Sequence, residues 1–164
     1  MLDSAQLGVL DALERRKLLV CVGPLISMAA GLAGPRELVE RCREALSSAG
    51  QEAEGVTADD GIAQALERAE SLLGSAAFVR LVRAAWEPLV PVPDAARALV
   101  ALSPGLNSIV TTNLDRVLER AFAGRWHAVD EAAPDVAKRT RVIFKVRGTI
   151  DRPTGWMLTM RQRQ

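Results

Sequence analysis

The stretch from residue 108 to residue 115 reads Ser-Ile-Val-Thr-Thr-Asn-Leu-Asp, and it decides which fold the chain can adopt. Its apolar, β-branched part has the length of one strand, which we predict over residues 108–112. Three consecutive polar side chains, Thr111, Thr112 and Asn113, stand where that strand ends. Helical spacing of apolar residues then predicts a helix over residues 114–122, with Asp115 in its first turn. A strand that passes through a polar loop into a helix is typical of layered α/β proteins.

Two other segments make the same transition from a strand into a loop. Residues 18–22 read Leu-Leu-Val-Cys-Val and continue into Gly23, while the predicted strand over residues 141–146 ends at Arg147 and Gly148. Residues 18–22 show no alternation of apolar and polar side chains, so we expect both faces of this strand to be buried in a parallel sheet. Because ligands of such sheets bind outside the carboxyl ends of the strands, the three loops are candidate parts of one site.

Helical patterns separate the predicted strands. We expect Ser4 to cap a first helix with a stripe of leucines, and Pro35 to start a later one. From about residue 57 to residue 102 the spacing of apolar residues predicts a helical insert, with helices over residues 61–73 and 75–86 and a further helix capped by Asp94. Strands that alternate with helices predict an α/β fold in which helices flank a parallel sheet.

The composition excludes several classes of partner. The chain has 164 residues, 49% of them apolar, which suits one domain. Lys plus Arg total 21 against 20 for Asp plus Glu, and aromatic residues make up only 4%, so we expect no nucleic acid partner. Glycine and proline interrupt the uncharged run over residues 18–35, so we expect no membrane span. The two cysteines lack metal-ligand spacing, which predicts no metal site and a cytoplasmic location.

The loop over residues 23–31, called the glycine loop below, has the layout of a phosphate cradle. Gly23 follows the strand directly and Ser27 follows as a helix begins, so that backbone N–H groups could face an anion. However, Leu25 occupies the position of the second glycine of the dinucleotide fingerprint, and Pro24 removes a backbone donor. A tight turn without a ligand is therefore an equal alternative.

The polar cluster after the second strand is more informative than the glycine loop. Thr112 or Asn113 could simply cap the following helix, but a helix cap needs only one polar side chain. The other polar side chains of the cluster therefore favour a ligand-binding site. Farther along the chain, we expect Glu119 to face solvent on its helix. His127 is the only histidine, and we expect it to lie near apolar residues without a functional role.

Taken together, three ordered motifs resemble the SIR2-like domains of bacterial defence proteins. They are the glycine loop, residues 111–119 (Thr-Thr-Asn-Leu-Asp-Arg-Val-Leu-Glu, the asparagine motif) and residues 144–151 (Phe-Lys-Val-Arg-Gly-Thr-Ile-Asp, the arginine turn). The family patterns are GAGxSxxxGLP, TTNYDxxLE and KLHGSID, and the similarity extends from about residue 18 to residue 159. The resemblance implies a Rossmann-like NAD-binding fold with an inserted helical module. It implies a single domain over residues 1–164, either C-terminally abbreviated or part of a larger protein.

The same resemblance implies which residues form the site. In the family, the asparagine of the second motif orients the ribose or a water, and the histidine of the third motif acts as base; the matching residues here are Asn113 and Arg147. The residues implied to bind NAD or ADP-ribose are Gly23, Ser27, Gly31, Thr112, Asn113, Asp115 and Gly148. A guanidinium keeps its proton at physiological pH, so Arg147 cannot accept one from a ribose hydroxyl or a water. Efficient catalysis of the sirtuin type is therefore not expected.

Three hypotheses for the function follow. The favoured one is a degenerate SIR2-like domain, a pseudoenzyme that senses a nucleotide or assembles with other domains or subunits of a bacterial defence or signalling complex. A homo-oligomer is compatible with it. The second is an active NAD glycohydrolase with an unconventional base. The third is a pure protein-interaction domain without a ligand, which exposure of Phe78, Leu81, Val82 and Trp86 in one patch would favour.

Overall fold

The computed structural model of the chain describes residues 3–130 and 139–159, which contain four β-strands and seven α-helices. In chain order these are α1 (Ser4–Glu14), β1 (Leu18–Val22), α2 (Leu25–Ala29), α3 (Pro35–Ser48), α4 (Ile62–Leu73), α5 (Ser75–Trp86), α6 (Asp94–Leu102), β2 (Leu106–Thr111), α7 (Val117–Phe122), β3 (His127–Val129) and β4 (Val142–Lys145). The helices predicted over residues 61–73 and 75–86 agree with α4 and α5 within one residue. None of the helices in the described ranges is long and apolar enough to cross a membrane.

The strands form one parallel sheet in the order β1-β2-β4-β3. After β2 the chain forms α7 and then β3, which lies at the edge of the described sheet opposite β1. β4 comes last in the chain and lies between β2 and β3. Since all pairs are parallel, the carboxyl ends of β1, β2 and β4 point to the same edge of the sheet. The predicted α/β, Rossmann-like fold with a parallel sheet flanked by helices is therefore confirmed.

The apolar core has two parts. One part lies among α3, α4 and α5, where Leu38 and Cys42 are fully buried. The other lies between α6, α7 and the sheet, where Ile109 of β2 and Ile143 of β4 are fully buried. Trp86, at the end of α5, packs against both parts.

The apolar residues of α5 do not form an exposed patch. Phe78 and Val82 are 1% and 0% exposed, and the partly buried Leu81 and Trp86 pack against the same core. These residues are buried because α5 turns its apolar stripe toward α3 and α4. The observation that would have favoured a pure interaction domain is thus contradicted.

The expectation that both faces of β1 are buried is wrong. Exposure alternates along the strand, with Leu19 52% exposed and Cys21 exposed, whereas Leu18, Val20 and Val22 are partly buried. The reason is that the described residues do not cover the face of β1 that carries Leu19 and Cys21.

Three helices begin at residues other than those predicted. Asp3, not Ser4, caps α1, because its carboxylate accepts from the backbone N–H of Gln6 while the Gln6 side chain accepts from the N–H of Asp3. Asp94 is the first residue of α6 rather than its cap. Helix α7 begins at Val117, three residues later than predicted, because the Asp115 carboxylate accepts from the Val117 N–H at 2.9 Å and keeps the preceding residues in a loop.

Candidate functional site

The carboxyl ends of β1 and β2 are joined by a threonine hydroxyl. Thr111 Oγ1 donates to the carbonyl oxygen of Val22 at 2.9 Å and accepts from the backbone N–H of Asn113 at 3.1 Å. Thr111 itself is 2% exposed. The first residue of the asparagine motif therefore fixes the backbone on which Asn113 stands.

A buried chain of hydrogen bonds connects the glycine loop to the asparagine motif. The amide nitrogen of Asn113 donates to Ser27 Oγ at 2.8 Å and to the carbonyl oxygen of Gly23 at 3.0 Å. Ser27 Oγ in turn donates to Asp115 Oδ2 at 2.6 Å. Asn113, Ser27 and Asp115 are 7%, 4% and 5% exposed, so these bonds form away from bulk water. The network orients the Asn113 amide, since its nitrogen must face Ser27 and its oxygen must face the other way.

The oxygen atom of the Asn113 amide has no hydrogen-bond partner among the described residues, although it is buried. Leaving a buried acceptor unsatisfied costs about 1–3 kcal/mol, so native proteins seldom do so without a reason. Asn113 also lines the cavity described below. A donor supplied by a molecule in that cavity, such as a hydroxyl group, would satisfy this oxygen.

Lys145, at the end of β4, binds the asparagine motif through its side chain. Its side chain is 1% exposed, and its ammonium group donates to the carbonyl oxygens of Leu114 and Asp115 at 3.0 and 2.5 Å. It also forms an ion pair with Glu119 Oε1 at 2.5 Å. The expectation that Glu119 faces solvent is therefore wrong, because this carboxylate is the counter-ion that a buried lysine requires.

The arginine turn follows β4 and depends on a glycine. Gly148 has a φ of 88°, and a Cβ there would lie 2.4 Å from the carbonyl oxygen of Gly155. The Arg147 carbonyl oxygen accepts from the Met157 N–H at 3.1 Å, and Trp156 Nε1 donates to the carbonyl oxygen of Thr149 at 2.7 Å. These contacts fold the segment after the turn back onto it and fix the backbone that carries Arg147.

The three motifs surround one cavity of about 240 Å³. Its polar wall is formed by Ser27, Thr112, Asn113, Asp115 and Arg147. The remaining lining is apolar and comes mostly from the glycine loop, α3, α4 and α5: Pro24, Ala33, Pro35, Ile62, Leu66, Trp86, Leu114 and Leu158. Trp86 Nε1 donates to the Ala33 carbonyl oxygen at 2.8 Å, which fixes the indole ring at the wall.

The structure brings five of the sequence-predicted site residues to this cavity, namely Ser27, Thr112, Asn113, Asp115 and Arg147. Gly23 contacts Asn113 through its carbonyl oxygen. Gly31 and Gly148 are not among the described lining residues. Both have positive φ, at 98° and 88°, and shape the backbone instead.

The apolar wall of the cavity could not be identified from the sequence. Ile62, Leu66 and Trp86 belong to the helical stripes of α4 and α5, and the same spacing fits any buried helix face. Lys145 was also missed, although a lysine between Phe144 and Val146 in an otherwise apolar strand could have indicated a buried ion pair.

Comparison with known proteins supports the interpretation of these motifs. A family model described as the SIR2-like domain matches residues 107–163, which include the asparagine motif and the arginine turn. A search of the curated proteins gave no match. Residues 107–163 are therefore similar to the SIR2-like domain, as the resemblance of the asparagine motif and the arginine turn predicted.

Proposed function

We propose that the chain is a degenerate SIR2-like domain that binds NAD or ADP-ribose without efficient hydrolysis, and that it acts as a nucleotide-sensing or assembly module in a bacterial defence or signalling system. The observation that carries this proposal is the pairing of two groups in one cavity. The unsatisfied amide oxygen of Asn113 offers an acceptor, and Arg147 stands where the family has its catalytic histidine.

The chemistry of Arg147 argues against turnover. Hydrolysis of the nicotinamide ribosyl bond needs a group that accepts a proton from a ribose hydroxyl or an attacking water. A general base of this kind contributes about 10²–10⁴-fold to a rate. A guanidinium has no acceptor and stays protonated, so Arg147 cannot take this part. It can instead bind the phosphate of a nucleotide through two parallel N–H donors.

The residues around the cavity fit part of a nucleotide. The Asn113 amide oxygen suits a ribose hydroxyl, Arg147 suits a phosphate, and the apolar wall suits the face of an aromatic ring. The cavity of about 240 Å³ is smaller than a whole dinucleotide requires, since sites for drug-sized ligands span about 300–1,000 Å³. The remainder of the ligand would lie along the glycine loop, where a Cβ on Gly23 would meet no atom within 4 Å.

Calorimetric titration of the purified chain with NAD and with ADP-ribose tests this proposal. We expect heat of binding with at least one of them, and weaker binding by the Asn113→Ala and Arg147→Met variants. Arg36→Met is a matched control, because the Arg36 side chain is 73% exposed, pairs with Asp59 and does not line the cavity. Absence of heat with both nucleotides would contradict nucleotide sensing and would favour a domain that has no nucleotide ligand.

Incubation with NAD tests the lack of turnover separately from binding. We expect the purified chain to release no nicotinamide, and we expect an Arg147→His, Leu25→Gly variant to gain activity because it restores the base and the glycine of the family pattern. Hydrolysis by the unaltered chain would contradict the proposal. An inactive repaired variant would indicate that these two substitutions alone do not account for the lack of turnover.

One observation favours the alternative of an active NAD glycohydrolase. Asp115 places a buried carboxylate in the same cavity, and a carboxylate can accept a proton where a guanidinium cannot. Under this alternative the unaltered chain hydrolyses NAD, and Asp115→Asn abolishes the activity while nucleotide binding persists.

A further inference from the structure

The polar wall of the cavity carries its negative charge inside and its positive charge toward solvent. Asp115 is 5% exposed, and its carboxylate accepts from Ser27 Oγ and from the Val117 N–H. Arg147, which also lines the cavity, is partly exposed. The Asn113 amide oxygen is buried and, among the described residues, has no donor. A ligand that matches this wall presents a neutral hydroxyl to the interior and an anion at the exposed side.

The apolar wall suits a flat ring but does not select one ring among others. Ile62 and Leu66 of α4 and Trp86 of α5 contribute to it. The Trp86 indole N–H donates to the Ala33 carbonyl oxygen at 2.8 Å, so the only donor of this side chain is already used. Stacking and apolar contact tolerate any base, because every base has a π face. The wall therefore favours an aromatic base without distinguishing adenine from nicotinamide.

The glycine loop offers little to a second phosphate. The dinucleotide fingerprint binds a pyrophosphate with backbone N–H groups at a helix N-terminus. Here Pro24 has no N–H, and the N–H groups of Ser27 and Met28 donate to the Pro24 carbonyl oxygen, each at 3.0 Å. Helix α2 has only five residues, so few peptide dipoles add up at its N-terminus. A ligand that extends past the cavity along this loop gains few hydrogen bonds from it.

Arg147 is the only cationic side chain among the described residues that line the cavity. Its guanidinium has five N–H donors, so it can keep a contact within the protein and still bind two oxygens of a phosphate. The terminal phosphate of a mononucleotide carries a charge of about −1.5 to −2 at pH 7, as a phosphorylated side chain does. Each phosphate inside a dinucleotide carries a single negative charge. Because one cation binds the more highly charged group more strongly, a terminal phosphate is favoured here.

We propose that the cavity prefers a nucleoside monophosphate to a dinucleotide. The base packs against Ile62, Leu66 and Trp86, the ribose donates a hydroxyl to the Asn113 amide oxygen, and the terminal phosphate binds Arg147. This preference rests on the proposed nucleotide binding and narrows the ligand of the same site. NAD and ADP-ribose then bind through one nucleotide half, with the other half along the glycine loop. The cavity volume of about 240 Å³ agrees with a small ligand, since sites for drug-sized ligands span about 300–1,000 Å³.

Calorimetric titration of the unaltered chain with AMP, nicotinamide mononucleotide, NAD and ADP-ribose tests the preference. We expect at least one of the two monophosphates to bind more tightly than both larger ligands by about tenfold or more, as one additional hydrogen bond to a charged group would give. A smaller difference, or tighter binding of NAD or ADP-ribose, would overturn the preference and leave the proposed function intact. Absence of binding by all four ligands would overturn both.

Removal of the phosphate from the ligand tests its assignment to Arg147. For the monophosphate that binds more tightly, we expect Arg147→Met to lower the affinity by about tenfold. For its nucleoside, adenosine or nicotinamide riboside, we expect the same substitution to change nothing, because the contact is already absent. Arg36→Met, which removes an exposed cation outside the cavity, should alter neither affinity. Equal losses for the monophosphate and its nucleoside in the Arg147 variant would overturn the assignment. The comparison of the four ligands uses the unaltered chain, so the preference stays testable even if Arg147→Met does not fold.

Discussion

Lys145 is the residue through which the arginine turn supports the asparagine motif. It lies at the end of β4, and its ammonium group reaches the carbonyl oxygens of Leu114 and Asp115 as well as the Glu119 carboxylate. A buried ammonium donates three hydrogen bonds at most, and all three are made here. Its role is thus to fix the loop that presents Asn113 and Asp115 to the cavity.

Replacement of Lys145 should destabilise the fold strongly. We expect Lys145→Met to lower the free energy of unfolding by about 3–5 kcal/mol, because it removes the donor of the partly buried Glu119 carboxylate and of the Asp115 carbonyl oxygen. The Leu114 carbonyl oxygen keeps its second donor, the backbone N–H of Ile150. The double variant Lys145→Met, Glu119→Leu should lose less than the sum of the two single changes. Urea unfolding measures both effects. As a control, Arg41→Met breaks the exposed Arg41–Glu37 pair and should change stability by less than about 1 kcal/mol. Additive losses at Lys145 and Glu119 would show that the pair is not coupled.

The turn after β4 requires glycine for two separate reasons. Gly148 has a positive φ, and its missing Cβ leaves room for the backbone of Gly155. Gly124 shares the first reason only, since its φ is 71° but a Cβ there would meet no atom within 4 Å.

The two glycines therefore form a matched pair of test sites. We expect Gly124→Ala to cost about 1–2 kcal/mol of unfolding free energy, the penalty for left-handed backbone. Gly148→Ala should cost about 1–3 kcal/mol more, because two backbone segments must move apart. Thermal or urea unfolding of both variants checks the difference. Equal losses would mean that the turn can open without strain.

The elements themselves could largely be predicted from the sequence, because each has a local signal. Apolar runs of strand length located β1, β2 and β4, and apolar spacing located α4 and α5 within one residue. The exposure of one face of β1 could not be predicted, since it depends on which elements pack against that face and not on the residues of the strand itself. The late start of α7 depends on the hydrogen bond of a single carboxylate, that of Asp115.

A buried thiol makes the free energy of unfolding of the protein depend on pH in the alkaline range. Burial raises the pKa of Cys42 from 9.0 to about 11. Below pH 9 the thiol is neutral in both the folded and unfolded chains, so its contribution is complete there. Above pH 9 the unfolded chain ionises first, and stability falls by about 1.4 kcal/mol per pH unit until the folded thiol also ionises.

We expect the free energy of unfolding to decline between pH 9 and about 11, with a shallower decline in a Cys42→Ala variant. Urea unfolding at several pH values measures both curves. The exposed Cys21 should react with a thiol reagent in the folded chain, whereas Cys42 should react only on unfolding. Parallel pH curves for the two proteins would contradict this account.

The site was predictable only where its residues belong to motifs. Asn113 stood out at a strand end, and Asp115 and Ser27 stood out near the starts of the helices that follow; the structure joins the three by hydrogen bonds. The wall that α4 and α5 add could not be predicted, because helical spacing tells which face is buried but not against what. Trp86 illustrates this, since it ends an ordinary apolar stripe and yet lines the cavity.

The position of Trp86 also has an optical consequence. The chain contains three tryptophans and no tyrosine, so its ultraviolet emission comes almost entirely from indole rings. Trp126 lies in the core beside Phe122, with the ring centroids 4.8 Å apart, and Trp156 is buried behind the arginine turn. Only Trp86, among the three, lines the cavity. The protein thus carries its own fluorophore at the wall of the proposed site, and occupancy can be followed without a label.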